Sequence, residues 1–456
     1  MALVSINPST GKKIQSYAEL AEEEVKIILN NVHTAKDKWA FSDLSLRLNC
    51  VSEMIGVLKD NKREFSHIIT KEMGKPVSQS VAEIDKCIFL CKYYFENAEG
   101  ILADRLIKID EMQCTISLQP IGIVLGIMPW NFPFWQVYRF AIPTILAGNA
   151  CLLKHAPNVQ GCAEVIESAF VEAGFPVNIF RNIPIAVENV SKVIGDSRVS
   201  AVTMTGSTKA GRSVAKTAGQ NLKKTVLELG GSDPYIILDD ADLDKTVNSC
   251  INGRILNSGQ SCISAKRIIA TENTYDLVLE KLENNLFSKI MGDPFDNVDI
   301  GPMVSLKARD EVHNQVTRSI DAGAILVMGG FIPDMPGAFY PITLLANVEV
   351  GMAAFEEEIF GPVFSLTKAN DNDHAIELGN QTPFGLGAAV FTKNTEKGEN
   401  IAKTKIDAGS CYVNDFVKSD PRLPFGGIKE SGYGRELSSF GMMEFVNIKT
   451  IVISDV

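Results

Sequence analysis

The 456-residue chain has only five histidines and three tryptophans, and none of its nine cysteines falls in a Cys-x-x-Cys pair. The histidines, at 33, 67, 155, 313 and 374, are dispersed and no His-Glu-x-x-His occurs, so no ligand spacing supports a metal site. Positive charge is not in excess. Lys and Arg total 44 against 55 Asp and Glu, a net charge of −11, which argues against a nucleic-acid or anionic-membrane partner but leaves an anionic small substrate open. No apolar run approaches the roughly 18–20 residues of a membrane span. The longest, IGIVLGIMPW at 121–130, runs into Asn131. The start, MALVSINPSTGKK, has no basic region followed by an apolar core, so a secretory signal is not expected. Scattered cysteines without small-domain spacing read as reduced thiols of a cytoplasmic protein. Cys87 and Cys91, four apart on an expected helix, are poorly placed for a disulfide.

What is present is alternation. Residues 20–100 repeat apolar positions every three or four and are expected to be helical. A β-prone stretch, QCTISLQPIGIVLGI, follows at 113–127. Then VSAVTMTG (199–206) reads as a strand, STKAGRSVAKTAGQN as its helix and TVLELGG (225–231) as the next strand. PYIILDD, RIIATEN and AILVMGG continue the pattern. Strand–helix–strand units imply an α/β chain with parallel sheets and crossover helices. A domain boundary is expected near Gly230–Gly231.

Four stretches carry candidate chemistry. In NSGQSCISAKR (257–267), Cys262 is either a buried spectator thiol or a nucleophile. Its small polar neighbours are poor material for burial and favour an accessible, reactive site, with hydrolase chemistry also open. In LELGGSDP (227–234), Glu228 is either a solvated strand-end carboxylate or a general base exposed where a strand opens into a cleft. In IMPWNFPFWQVYRF (127–140), Asn131 either caps a helix before Pro133 or offers an amide to an oxyanion. Arg139, eight residues on, is expected near the same helix face, either as an interdomain salt bridge or in the site. TGSTKAG (205–211) puts glycines and hydroxyls at a helix start, which suits phosphate but matches neither G-x-G-x-x-G nor a P-loop.

Taken in order, MPWNFP, TGSTKAG, LELGG, NSGQSC, EEIFGPV (357–363) and PFGGIKESGYGRE (424–436), with INPSTGK near the start, resemble the NAD(P)-dependent aldehyde dehydrogenase superfamily. PWNFPFWQVYRF, LLKHAPNVQGCA, LELGGSDP and GRELSSFG resemble its short bacterial succinate-semialdehyde dehydrogenase branch. The resemblance implies a Rossmann-like cofactor domain (1–102 and 122–229), an α/β catalytic domain (230–438) and a small β oligomerisation arm (103–121 and 439–456). It implies Cys262 as nucleophile, Glu228 as general base and Asn131, with the Cys262 backbone N–H, as the oxyanion donors. For NADP or NAD it implies Met128, Pro129, Trp130, Lys154, His155, Pro157, Gly206, Ser207, Gly211, Leu229, Gly230, Glu358 and Phe360. For the substrate it implies Phe132, Trp135, Arg139, Ser261, Ile263 and Phe425.

Two positions depart from the family pattern. Pro157 stands where many NAD-preferring members place a glutamate that binds the adenosine ribose, so a 2′-phosphate is tolerated and Lys154 and His155 are placed to pair with it. Leu256 stands where some succinate-semialdehyde enzymes carry a second carboxylate-binding arginine, leaving Arg139 alone, with Arg422 or Lys418 as possible substitutes. The expected reaction is oxidation of succinate semialdehyde to succinate through a cysteine thiohemiacetal and thioester, the latter hydrolysed by glutamate-activated water. Other small aldehydes (glutarate semialdehyde, aliphatic or aromatic), a cysteine esterase and a catalytically silent protein are the alternatives. The resemblance implies a homodimer or homotetramer, with the β-prone 103–121 and FVNIKTIVIS (445–454) segments similar to the family's oligomerisation arms; an exposed apolar β-prone terminus would be an aggregation hazard unless paired.

Overall fold

The computed structural model describes residues 2–110 and 112–454. Met1 lies outside the described residues, as do Glu111, Asp455 and Val456 of the expected arm. The helical expectation for 20–100 corresponds to four helices, Glu22–Ala40, Leu44–Asp60, Lys62–Met73 and Val77–Leu102. In the first, Val25, Ile28, Leu29 and Val32 supply the buried stripe, the i, i+3, i+4, i+7 spacing of one helix face.

The helices pack into one core with a six-stranded sheet. From one edge its strands are Gly432–Tyr433, Lys224–Glu228, Val199–Thr205, Ile123–Met128, Ala150–His155 and Phe180–Asn182. All are parallel except the first. Ile123–Met128 and Ala150–His155 are buried along nearly their whole length, as befits parallel strands covered on both faces. The sheet grows to one side of Ile123–Met128 and then, from Val199–Thr205, to the other. Such a reversal opens a crevice at the carboxyl ends of the two flanking strands. Pro129–Asn131 and Gly206–Ser207 emerge there.

The chain then enters a seven-stranded sheet, ordered Ile325–Met328, Thr343–Ala346, Val363–Ala369, Arg267–Thr271, Pro234–Ile237, Gly387–Phe391 and Ser410–Val413, parallel but for its first edge. Alternate residues serve its two cores: Tyr235 and Ile237 on one face, Ile236 on the other. The segment 230–438 is not confined to this sheet, because Gly432–Tyr433 returns to pair with Glu228 and Leu227. Val446–Ile453, Met112–Pro120 and Arg105–Ile109 form a separate antiparallel sheet with exposed outer strands. Among the described residues no helix is long and apolar enough to cross a membrane.

Candidate active site

The approach to Cys262 is buried, contrary to the open, flexible loop expected from its composition. Asn257, Ser258, Gln260 and Ser261 are all at most 3% exposed. Their polarity is consumed internally. The Asn257 amide donates to the Asn131 carbonyl at 2.8 Å and the Gln260 carbonyl at 3.1 Å. Ser258 bonds Gly301, and Gln260 Oε1 accepts Val304 N–H at 2.9 Å. Small polar residues here build a scaffold and not a solvated loop. The turn is also strained. Asn257 (φ 55°) and Ser258 (φ 54°) are left-handed, each at a cost of about 1–2 kcal/mol, followed by Gly259 (φ 74°). A Cβ on Gly259 would collide with the Gly361 carbonyl, so the EEIFGPV segment seats directly on this turn. Cys262 itself is half-buried. Burial pushes its thiol up to about 12, while Lys266 and Arg139 pull it down. Lys266 donates to the Cys262 carbonyl at 2.5 Å and pairs with Glu358 at 3.1 Å.

Asn131 lies in the turn before helix Trp135–Leu146, not on its face with Arg139, and does not cap it. Its amide donates to the Gln260 carbonyl at 3.1 Å, which ties it to the nucleophile loop. The helix start is satisfied instead by Glu83, whose Oε1 accepts the N–H groups of Phe134 and Trp135 at 2.8 and 2.9 Å. Glu83 Oε2 takes Lys75 at 2.5 Å, and the Lys75 ammonium also lies 3.9 Å from the centre of the Phe132 ring. Nothing in the local sequence marked Glu83, since it is brought in from the helix Val77–Leu102.

Glu228 ends its strand as expected but is not exposed. It is 2% accessible and neither carboxylate oxygen has a hydrogen-bond partner among the described residues. Burial raises its pKa well above the ordinary range and Glu436 raises it further, opposed by Arg139 and Arg435. A Cβ on Gly426 would fall 2.7 Å from Glu228 Oε1, so that glycine makes room for the carboxylate. Arg139 is corrected from a free substrate ligand to a buried ion pair. It is 2% exposed, pairs with Glu436, donates to Thr205 Oγ1 at 3.1 Å and covers the Phe425 ring. Burial of both partners enforces the pairing, because an isolated charge there would be costly. Arg422 pairs with Asp420 and Lys418 with Asp415, both on the surface.

A cavity of about 250 Å³ joins the two sheets' contributions. Pro129, Trp130, Asn131, Thr205, Gly206, Ser207, Leu229, Gly230, Glu358, Phe360 and Cys262 line it. Trp130 meets Phe360 edge-on at 5.7 Å. Ser207 caps helix Thr208–Gln220, accepting Ala210 N–H at 3.3 Å. Glu358 accepts Gly231 N–H at 3.1 Å, and a Cβ on Gly230 would meet Glu358 Oε2. Glycines therefore let this carboxylate reach the cavity floor. Three expected cofactor residues serve otherwise. Gly211 faces inward, where a Cβ would strike Leu229. Met128 is buried and offers its carbonyl to His155. His155 is 1% exposed with ring nitrogens at the Met128 and Pro133 carbonyls, and burial lowers it to about 4, so it is neutral and has no charge for a phosphate. Lys154 has no ion pair or hydrogen bond from its ammonium among the described residues, and Pro157 beside it is exposed. Phe132, Trp135, Ser261, Ile263 and Phe425 do not line this cavity. Phe132, Trp135 and Phe425 pack in the core shared with the first sheet, and Ile263 packs against both sheets' cores.

This arrangement coincides with known proteins over its full length. The family profile described as aldehyde dehydrogenase matches residues 2–451. The chain is 42% identical over 449 residues to the NAD(P)+ succinate semialdehyde dehydrogenase of Escherichia coli, covering 98% of this chain and 97% of that one. It is 41% identical to a probable NADP+ succinate-semialdehyde dehydrogenase of Synechocystis, covering all of both. A crystal structure of the Streptococcus pyogenes succinic semialdehyde dehydrogenase with NADP+ superposes with a TM-score of 0.97 at 36% identity, again over both whole chains.

Proposed function

The chain belongs to the aldehyde dehydrogenase family, and we propose that it oxidises succinate semialdehyde to succinate with NADP or NAD as acceptor. The observation that carries the reading is one cavity lined at once by Cys262 and Asn131 and by Gly206, Ser207 and Glu358. The residues fit a dinucleotide. A capped helix start with a glycine offers backbone N–H groups to a pyrophosphate, Glu358 offers a carboxylate to a ribose, and Lys154 offers an uncommitted cation. When bound, the nicotinamide supplies the hydride acceptor.

The chain's own residues do the rest. The Cys262 thiol releases its proton to water, and the sulfur adds to the aldehyde carbon as the carbonyl π bond opens, forming a C–S bond and an oxyanion. Asn131 spends one amide hydrogen on Gln260 and has a second for that oxygen, beside the Cys262 N–H. Once the carbon has lost hydride, the thioester is cleaved by water. Glu228 takes the water proton as the oxygen attacks, the C–S bond breaks and the carboxylate product leaves. An elevated carboxyl pKa makes Glu228 a stronger base than a solvated carboxylate. To act, its carboxylate turns from beside Gly426 into the cavity. The exposed arm sheet supports a homodimer or homotetramer, and nine unpaired cysteines support a cytoplasmic setting.

The test is absorbance at 340 nm with purified protein and succinate semialdehyde, in parallel with NADP and NAD. Turnover with a preference for NADP is expected, since Pro157 supplies no carboxylate to the ribose and the Lys154 ammonium makes no hydrogen bond or ion pair among the described residues. Turnover only with other aldehydes would retire the substrate while keeping the reaction. Ester hydrolysis with no cofactor-dependent oxidation would retire both.

A further inference from the structure

The charges at the inner face of helix Val77–Leu102 do not balance. Lys75 is paired with Glu83, Arg139 with Glu436 and Arg422 with Asp420. Each nearby carboxylate is thereby taken. Lys86, one turn after Glu83, has no carboxylate partner among the described residues. Its ammonium donates to Ser419 Oγ at 2.7 Å and stands 4.2 Å from the centre of the Trp135 ring. Burial first and the Arg139 charge second lower its pKa to about 8, against the opposing pull of Cys87, Glu83 and Asp420. A part-buried ammonium held by a hydroxyl and a ring face, with Glu83, Glu436 and Asp420 already paired, is a seat for an incoming anion.

Its position relates this seat to the reaction. Trp135 follows Asn131 by one turn's length of chain, and Arg139 lies one turn further along the same helix. The Arg139 charge is felt both at Lys86 and at the Cys262 thiol. Ser419 belongs to the segment that leads to Phe425, whose ring Arg139 covers.

We propose that Lys86, seated on Trp135 and oriented by Ser419, binds the distal carboxylate of an ω-oxo acid and makes the enzyme selective for carboxylated over neutral aldehydes. This rests on the aldehyde-oxidising reading above. It supplies the cation that Leu256 does not and that Arg139, committed to Glu436, does not offer freely.

The experiment is steady-state kinetics on the full-length protein with two matched pairs, succinate semialdehyde with butanal and glutarate semialdehyde with pentanal. Lys86→Met is expected to raise KM for the carboxylated member of each pair about tenfold more than for the neutral one, the loss of a charged hydrogen bond. Lys86→Arg should recover most of that difference. Ser419→Ala, which removes only the orienting hydroxyl, should shift the same ratio in the same direction by less, and it serves should Lys86→Met fold poorly. Equal changes for carboxylated and neutral aldehydes in Lys86→Met, or in Ser419→Ala if only that variant folds, overturn the proposal. Wild-type protein with no preference within the pairs would instead defeat the succinate-semialdehyde reading itself. A wild-type preference that survives Lys86→Met retires only the role of Lys86.

Discussion

Two buried carboxylates, Glu83 and Glu228, lie on the elements that build the candidate site, and they are treated in opposite ways. Glu83 is 4% exposed and fully engaged: two backbone N–H groups on one oxygen, Lys75 on the other. Glu228 is 2% exposed and its carboxylate holds no hydrogen bond among the described residues, with Glu436 adding like charge. A desolvated carboxylate without partners is expensive, so a fold keeps one only where something else requires it. The contrast separates a fixture from an actor: Glu83 positions the Asn131–Trp135 turn, whereas Glu228 is held ready to exchange a proton.

The sharpest way to break that contrast is at Glu228. Glu228→Gln preserves shape and removes the base. Steady-state turnover is expected to fall by about 10²–10⁴-fold. Attack by Cys262 does not use the base for water, so rapid mixing should still show a burst of reduced cofactor close to one per active site. Turnover near the wild-type level, or loss of the burst together with it, would remove Glu228 from the deacylation step.

At Glu83 the expected effect moves from turnover to stability. Glu83→Ala strands the Lys75 ammonium and leaves two helix N–H groups unpaired, and is expected to cost about 3–5 kcal/mol in denaturant unfolding. Adding Lys75→Met to Glu83→Leu should return a large part of that loss, because an apolar pair replaces an orphaned charge. A loss below about 1 kcal/mol would mean that the buried pair is not formed as described.

How much of this was legible beforehand follows from what kind of information each feature needs. Strand Val199–Thr205, its helix and the catalytic triad of motifs were readable because hydrophobic period and short motifs are local. The resemblance placed Cys262, Asn131 and Glu358 about one cavity, and they do line one. What failed was burial of polar residues. NSGQS reads as a solvated loop, yet its side chains find partners at Gly301, Val304 and Asn131, far away in sequence. His155 and Arg139 read as available charges, yet the Pro133 carbonyl and Glu436 claim them. Glu83 and Gln79, which accepts Asn257 N–H at 2.7 Å, carry no motif because their role exists only when helix Val77–Leu102 docks. Long-range pairing of polar groups is set by topology, and a single chain's pattern does not encode it locally.

The smallest effect refines the comparison through pH. The folded-state pKa of Glu228 is raised above its unfolded value near 4.3. Between those two values the folded protein binds the extra proton, so its stability falls as pH rises through the window. Glutamine does not titrate. Glu228→Gln should therefore match wild type in unfolding free energy near pH 5 and exceed it progressively toward pH 8, by a margin on the order of 1 kcal/mol. Glu436, itself raised by burial, is charge-coupled to Glu228, so the difference between the two proteins reports the pair and not Glu228 alone. A difference that stays flat from pH 5 to 8 would show a solvated carboxylate in solution, and Glu228 would then lose the elevated basicity that distinguishes it from Glu83.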